Sequence, residues 1–399
     1  MAREFCEPAR SIPVVGEYDV VVVGGGIAGV AAAIAAGRAG ASTCIVEKEN
    51  ALGGLATLGL VEVYLPLCDG EGHQVIGGLA EELLLTSVKY GPGEVPECWT
   101  STDSIREERC RQRYRLIFNP ASFMISLEEG VLEAGVRIMY DTRVCSVLTE
   151  GGRIEALIVE NKSGRLAVCA KTVVDASGDA DVCYLAGEAT VSLSTNRRNG
   201  WFIANVGDRI ESQYVSDPLR GDLPAGVRTY AGDDWEDVTE MSIVGRQMIL
   251  ERIERLRQGA GYDKVYPLVA PTIPLFRMTR RLKGAFELDE SDNKRYFADA
   301  IGMTGDWRAA GPIFYIPYRC LVGVKTRNLI AAGRCISVTT AAWDITRVIP
   351  PCAVTGEAAG MAAAMGARTG NDLSELDVAE LQAQLKANRV IIDKRFSRL

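Results

Sequence analysis

Four β-branched residues in a row, Val20 to Val23, give way to Gly24, Gly25 and Gly26, and then to a stretch dominated by alanine as far as Arg38. An unbroken apolar run of this length predicts a central parallel strand buried on both faces. Ala31, Ala32, Ala33, Ala35 and Ala36 predict a thin helix over 27–38, bracketed at its end by Gly37 and Gly40. A second apolar run over 43–46 follows and stops at Glu47. Strand, glycine turn, helix, strand and closing acid make up a βαβ unit in which each part has a physical task. Gly24 permits the tight turn, Gly26 lets the backbone approach a pyrophosphate, and Gly29 lets the helix pack closely on the strand. From Ile27 and Ala28 onward, the first helical N–H groups and the positive end of the helix dipole are aimed at the phosphates. Glu47 stands 18 positions beyond Gly29, placed to accept hydrogen bonds from an adenosine ribose and to repel a 2′-phosphate. Spacing and acid together favour a bound dinucleotide over a ligand-free glycine loop.

The pattern continues with an amphipathic helix over 118–134, begun at Asn119 and Pro120 and ended by Gly135, with Phe123, Leu127, Val131 and Leu132 on its apolar side. Strands are predicted over 136–147, 153–161 and 166–174, with Glu150, Gly151 and Gly152 as a turn. Ala176, Ser177, Gly178 and Asp179 then form a small-residue turn, either lying against the nucleotide or simply ending a strand. From about Val191 to Tyr315 the βαβ pattern disappears, and a long helix over 237–258 sets Met241, Val244, Met248, Ile249, Ile253 and Leu256 on one side. A strand returns over 329–332. Pro350 to Gly356 introduce a helix over 357–367 whose alanines and glycine permit close packing.

Composition narrows the picture. A chain of 399 residues can bury a large core, and Asp plus Glu outnumber Lys plus Arg by 52 to 44, with a pI near 5.1, which does not indicate a nucleic-acid partner. No apolar run approaches the roughly 18 residues of a spanning helix, and the N-terminal stretch lacks the continuous apolar core of a secretory signal. The expectation is a cytoplasmic protein without membrane partners. The 11 cysteines contain no CxxC, the closest pair being Cys98 and Cys110, so iron–sulfur and zinc sites lack their usual spacing. No metal is expected, and the redox pair of disulfide reductases is missing.

Directly after Glu47 come Lys48, Gly53, Gly54, Ala56, Thr57 and Gly59, in EKENALGGLATLG. This segment resembles the FAD-binding part of the flavoproteins grouped with glutathione reductase and fumarate reductase. The chain is more similar still to a narrower group of bacterial FAD-dependent oxidoreductases, sharing DGEGHQVIGGLAEEL, NKSGRLAVCAKTVVDASGDADV, RMTRRLKGAFELDESD, IPYRCL and AGRCIS. The resemblance covers most of residues 10 to 370. It implies an α/β fold with a Rossmann-like FAD-binding domain of glutathione reductase type and an inserted substrate or cap domain. The expected boundaries are 18–190 and 320–370 for the FAD-binding domain, 191–319 for the cap, and 371–399 for a C-terminal helical segment. It also implies that the backbone near Val144 contacts the adenine, and that Gly333 stands where relatives carry Gly-Asp to hold the ribityl chain. Here Arg334 replaces the Asp, and an arginine suits phosphate oxygens better than hydroxyls. Ala353, Val354 and Gly356 belong to a helix start expected to face the flavin pyrimidine edge. The covalent-flavin histidine motif of fumarate reductases is not present, so noncovalent FAD is expected.

Hydride transfer at flavin N5 needs a substrate on the ring, a group to move a proton, and usually a cation to fix a substrate anion. His73, the only histidine, has a suitable ordinary pKa, but it is equally readable as a solvated or structural loop residue. Tyr318 and Arg319, with Tyr315, lie between cap and cofactor domains. Arg277, Arg280 and Arg281 form a second cationic group, and Trp343, Asp344 and Arg347 a third; each set is readable as substrate-binding or as interdomain salt bridges. No second GxGxxG occurs, which argues against a separate NAD(P)H domain. The expectation is an FAD-dependent oxidoreductase acting on a small molecule, with homo-oligomerisation open. The alternatives are a flavin monooxygenase and a noncatalytic FAD-binding electron-relay subunit.

Overall fold

Val20, Val21 and Val22 have no solvent exposure, and they occupy the centre of a seven-stranded sheet. The structure is a computed structural model in which residues 5–197, 200–215, 228–260 and 264–398 are described. Strand β1 (Val14–Val23) leads through Gly24 to helix α1 (Ile27–Arg38) and strand β2 (Thr43–Val46). Helix α2 (Pro120–Glu133) follows, its first N–H groups at Ala121 and Ser122 capped by Asn119 Oδ1 at 2.9 and 3.0 Å. Next come β3 (Arg137–Met139), β4 (Arg143–Glu150), β5 (Arg153–Asn161) and β6 (Gly164–Asp175). The sheet order is β3-β2-β1-β6-β5-β4, with a further strand, Leu329–Ala331, on β6.

The single strand expected over 136–147 is two strands. The chain bends at Asp141, which has φ 48°, after β3 has completed its parallel pairing with β2; β4 then runs antiparallel to β5. Strand β6 joins the two parts of the sheet. Its first half pairs antiparallel with β5, from Gly164 to Cys169, and its second half pairs parallel with Leu329–Ala331 at Val173, Val174 and Asp175. Along its length it also runs parallel to β1. The carboxyl ends of β1, β2 and β6 therefore meet at Gly24, Glu47 and Ala176, where open α/β sheets bind their ligands.

Two further units cover these ends. Strands β7 (Trp201–Val206) and β8 (Arg209–Tyr214) form a small sheet with β9 (Val265–Val269), packed on helix α3 (Trp235–Ala260) through Phe202, Ile249, Ile253 and Val265. A hairpin of β10 (Ala300–Gly305) and β11 (Ile313–Pro317) follows. It falls inside the span 191–319, yet Ile301, Met303, Ile313 and Ile316 share the principal core with α1. After β12 (Leu329–Ala331) come helices α4 (Thr340–Thr346) and α5 (Ile349–Thr369).

Helix α5 begins eight residues before the expected 357. Pro350 and Pro351 sit inside its first turn, where their missing N–H groups have no helical partner to lose. Every residue from Ile349 to Ala367 is buried, as expected of a helix apolar on all sides. Side chains at Gly356 and Gly360 would collide with the carbonyls of Ala28 and Ala32 on α1, so glycine is what brings the two helices together. Among the described residues, no single helix is long and apolar enough to cross a membrane.

Candidate functional site

The first glycine turn separates packing from reception. Gly24 has φ 100°, and a side chain there would strike Ala176; one at Gly29 would strike the Gly24 carbonyl. Both glycines are dictated by the protein's own backbone. At Gly26 a Cβ would meet nothing within 4 Å, so this position faces open space at the start of α1. Gly53, at φ 100°, donates its N–H to Gly25 O at 2.7 Å, and Gly54 lies against Gly26. The two glycine turns are thus stitched together around the exposed backbone of Gly26. Ala56 and the hydroxyl of Thr57, which donates to Leu52 O at 2.6 Å, hold the second turn from behind.

Glu47 ends β2 with 6% exposure. Its carboxylate accepts N–H groups from Gly25 and, at 2.8 Å, from Glu49. Burial pushes its pKa up, and these two donors pull it back. They also fix the direction of the acid, leaving lone pairs for a diol such as ribose. A cleft here is lined by Gly24, Glu47, Lys48, Thr142, Val144 and Ser177. Ser177 donates to Asp175 Oδ1 at 2.7 Å and accepts from Asp181 N–H at 2.9 Å, which holds the small-residue turn open beside it. A larger cavity of about 910 Å³ lies at the opposite ends of the parallel strands, among Asp19, Lys171, Asn328 and Asp372. There Lys171 is paired with Asp19 and Arg153 with Asp372, each at 2.7 Å.

The cap closes on the second side of the cleft. Leu60, Leu275 and Phe276 share a cluster with Trp201 and Met241, against which Leu55 and Val61 pack. The Thr272 N–H donates to Leu58 O at 3.0 Å, tying the cap to the second glycine turn. Arg334 does the same from β12: it donates to Phe276 O at 2.7 Å and Gly178 O at 3.2 Å, with Asp179 at 3.5 Å. Its guanidinium is therefore engaged by protein, joining the cap to the nucleotide turn. Gly333, at φ 71°, donates its N–H to Thr355 Oγ1 at 2.9 Å and packs on Ala28 and Cys352. Ala353 and Val354 are buried within α5, Val354 against Gly302, and Gly356 lies on Ala28. These three are packing residues of the wall.

Beside Cys352 the wall becomes cationic. Arg347 ion-pairs with Asp344, and its carbonyl accepts the Cys352 thiol at 3.3 Å. Asp344 is approached by Arg308 at 3.6 Å, and its carbonyl accepts the Trp307 indole N–H at 2.9 Å. Arg277, on the cap loop after Phe276, is pushed down to about 10 by burial and then by the charge of Arg347, with Asp344 opposing. Burial holds the Cys352 thiol up at about 12, so it stays protonated.

Three residues singled out from sequence do not join this wall. Tyr318 is 3% exposed and donates its hydroxyl to Leu373 O at 2.7 Å, beside the segment that lines the distant cavity. Arg319 lies over the rings of Phe286 and Phe297, 3.6 Å from Asp299. His73 pairs with Asp69 at 2.8 Å and meets Phe396 edge-on, behind the loop joining β10 to β11. Arg280 and Arg281 are bound to Asp181 and Glu287. Arg308, Trp307 and Thr355 were not distinguished by any local pattern. They reach the site by long-range pairing, and only the Gly305-Asp306 bend after an apolar strand hints at the first two.

Comparison with known proteins adds an independent line. A family model described as FAD dependent oxidoreductase matches residues 19–201 and 194–385. A digeranylgeranylglycerophospholipid reductase of Methanoculleus marisnigri is 25% identical over 189 residues, 44% of this chain and 42% of that protein. A dihydrolipoyl dehydrogenase of Trypanosoma brucei brucei is 56% identical over 45 residues, 11% of this chain and 9% of that one. The chain therefore spans less than half the length of either curated relative. Among solved structures, a p-nitrophenol 4-monooxygenase from Pseudomonas putida aligns with TM-score 0.49 and 16% identity, over 94% of this chain and 88% of that one.

Proposed function

The chain belongs to the FAD dependent oxidoreductase family, and on that premise we propose that it transfers a hydride between a small organic substrate and the bound flavin, the substrate entering between the cap loop and the Asp344–Cys352 segment. The residues present fit FAD: Gly26 offers bare backbone at a helix start, Glu47 offers an oriented acid, and the second glycine turn extends the cleft toward Gly333. Bound FAD supplies two-electron chemistry at N5. The protein's own share is recognition and enclosure. Glu47 holds the ribose, the starts of α1 and α5 present positive dipole ends, and the Leu275–Phe276 cluster excludes water.

One observation carries this reading: the cap loop is bonded both to the second glycine turn through Leu58 and to the turn after β12 through Arg334, the kind of cover a hydride-transfer site requires. The experiment is anaerobic mixing of the yellow protein with candidate substrates. Bleaching of the oxidised flavin by substrate alone, or anaerobic reoxidation of the reduced flavin by it, is expected. Bleaching only by a copurifying protein would replace this reading with electron relay, and oxidation of substrate only with oxygen and an added reductant would replace it with monooxygenation.

A further inference from the structure

The wall beside Cys352 carries more positive charge than its own acids neutralise. Among the described residues Arg277, Arg308 and Arg347 share two carboxylates, Asp306 and Asp344; Glu290 also acts on Arg308 and Arg113 on Asp306, two opposite charges that leave the balance unchanged. Arg308 takes both oxygens of Asp306, at 2.9 and 2.8 Å, and reaches Asp344 at 3.6 Å. Arg347 pairs with Asp344, but its Nε is buried without a hydrogen-bond partner. The guanidinium of Arg277 has neither hydrogen bond nor ion pair among the described residues; its one contact of note is the Trp201 ring at 6.0 Å. Its placement is nevertheless firm, because its backbone N–H donates to Asn196 Oδ1 at 2.9 Å. Among the described residues one guanidinium charge is left over, on two arginines of which one has no partner there and the other keeps an orphan donor.

Holding a half-buried cation next to another costs free energy that no described residue offsets. A guest anion would offset it. The surplus is one charge, which matches a carboxylate rather than a phosphate of charge near −2. The planar guanidinium fork suits the same group. The position is also right, because Arg277 follows Phe276, whose carbonyl holds Arg334, and Arg347 touches Cys352, which lies against Gly333.

We propose that Arg277 and Arg347 seat a carboxylate of the substrate, which makes the substrate a small organic acid. This rests on the oxidoreductase reading above, and it is tested without turnover. The FAD-loaded protein is titrated with acetate and with benzoate, using chloride at matched ionic strength as control, and the flavin difference spectrum is followed. A saturable, carboxylate-specific change is expected, weakened about tenfold or more by Arg277→Met and less by Arg277→Lys. No saturable change with either carboxylate, an equal response to chloride, or equal affinity in wild type and Arg277→Met would overturn the proposal. So would a variant that binds carboxylates normally but has a lowered flavin reduction potential, since the counterion would then be reduced flavin. If Arg277→Met fails to retain FAD, Arg277→Lys and the wild-type titration decide. Saturable carboxylate binding with no acid able either to bleach the oxidised flavin or to reoxidise the reduced flavin without oxygen would leave the seat intact and remove only the hydride-transfer reading.

Discussion

The turn at Gly24–Gly29 and the arginine recess at Arg277 and Arg347 are built by different means. At the turn every constraint is steric: Gly24 is fixed by Ala176, which β6 brings alongside β1, Gly29 is fixed by the Gly24 carbonyl, and Gly26 faces outward. In the recess the constraints are electrostatic and assembled from three distant segments, the cap loop, the tip of the β10–β11 hairpin and the end of α4. Closed packing tolerates no change, whereas an unbalanced charge cluster keeps its shape when one charge is removed. The lesson is that the two regions can be separated experimentally, one by stability and the other by ligand response.

The sharpest test lies within the turn. Gly29→Val should destabilise the fold by more than about 3 kcal/mol and yield little soluble protein, whereas Gly26→Val should keep the melting temperature of the apoprotein while weakening FAD binding by about 100-fold or more. Equal stability losses at both sites, measured by thermal unfolding of the apo forms, would erase the distinction between packing and reception.

A second test concerns a buried acid in the wall. Glu357 is 1% exposed and accepts the Leu79 N–H at 2.7 Å; burial raises its pKa from 4.5 to about 8, with Glu82 adding to the rise and that N–H and Arg38 opposing it. A raised folded-state pKa means that the protonated form favours the native state. Its contribution is complete below pH 4.5 and declines up to about pH 8, with a slope approaching about 1.4 kcal/mol per pH unit. Glu357→Gln, which retains an acceptor for Leu79, should flatten that slope in denaturant unfolding between pH 5 and 9.

Smaller effects are expected at Glu47 and Tyr318. Glu47→Gln should weaken FAD binding about tenfold through loss of a charged acceptor, read by flavin fluorescence on titrating the apoprotein. Tyr318→Phe should cost about 1 kcal/mol through the lost bond to Leu373 and leave both flavin spectrum and turnover unchanged; a large loss of turnover at unchanged stability would return Tyr318 to the site.

Legibility followed the same division. Helix 27–38 and strand 43–46 were readable to the residue, because propensity, glycine placement and burial agree there. The start of α5 was not, since two prolines read locally as a boundary although they fit a first helical turn. Tyr318 and Arg319 appeared promising from their place between two segments, yet the chain turns both side chains away, toward Leu373 and toward Phe286.

The sequence by itself determined the βαβ unit, its acid and the family, because a nucleotide turn is made of residues within about thirty positions of one another, and their spacing is the geometry. Only the tertiary structure decided which of the many arginines are bound by the described protein groups and which are not. Charge balance depends on partners hundreds of positions away, and no local pattern records whether a guanidinium has found one.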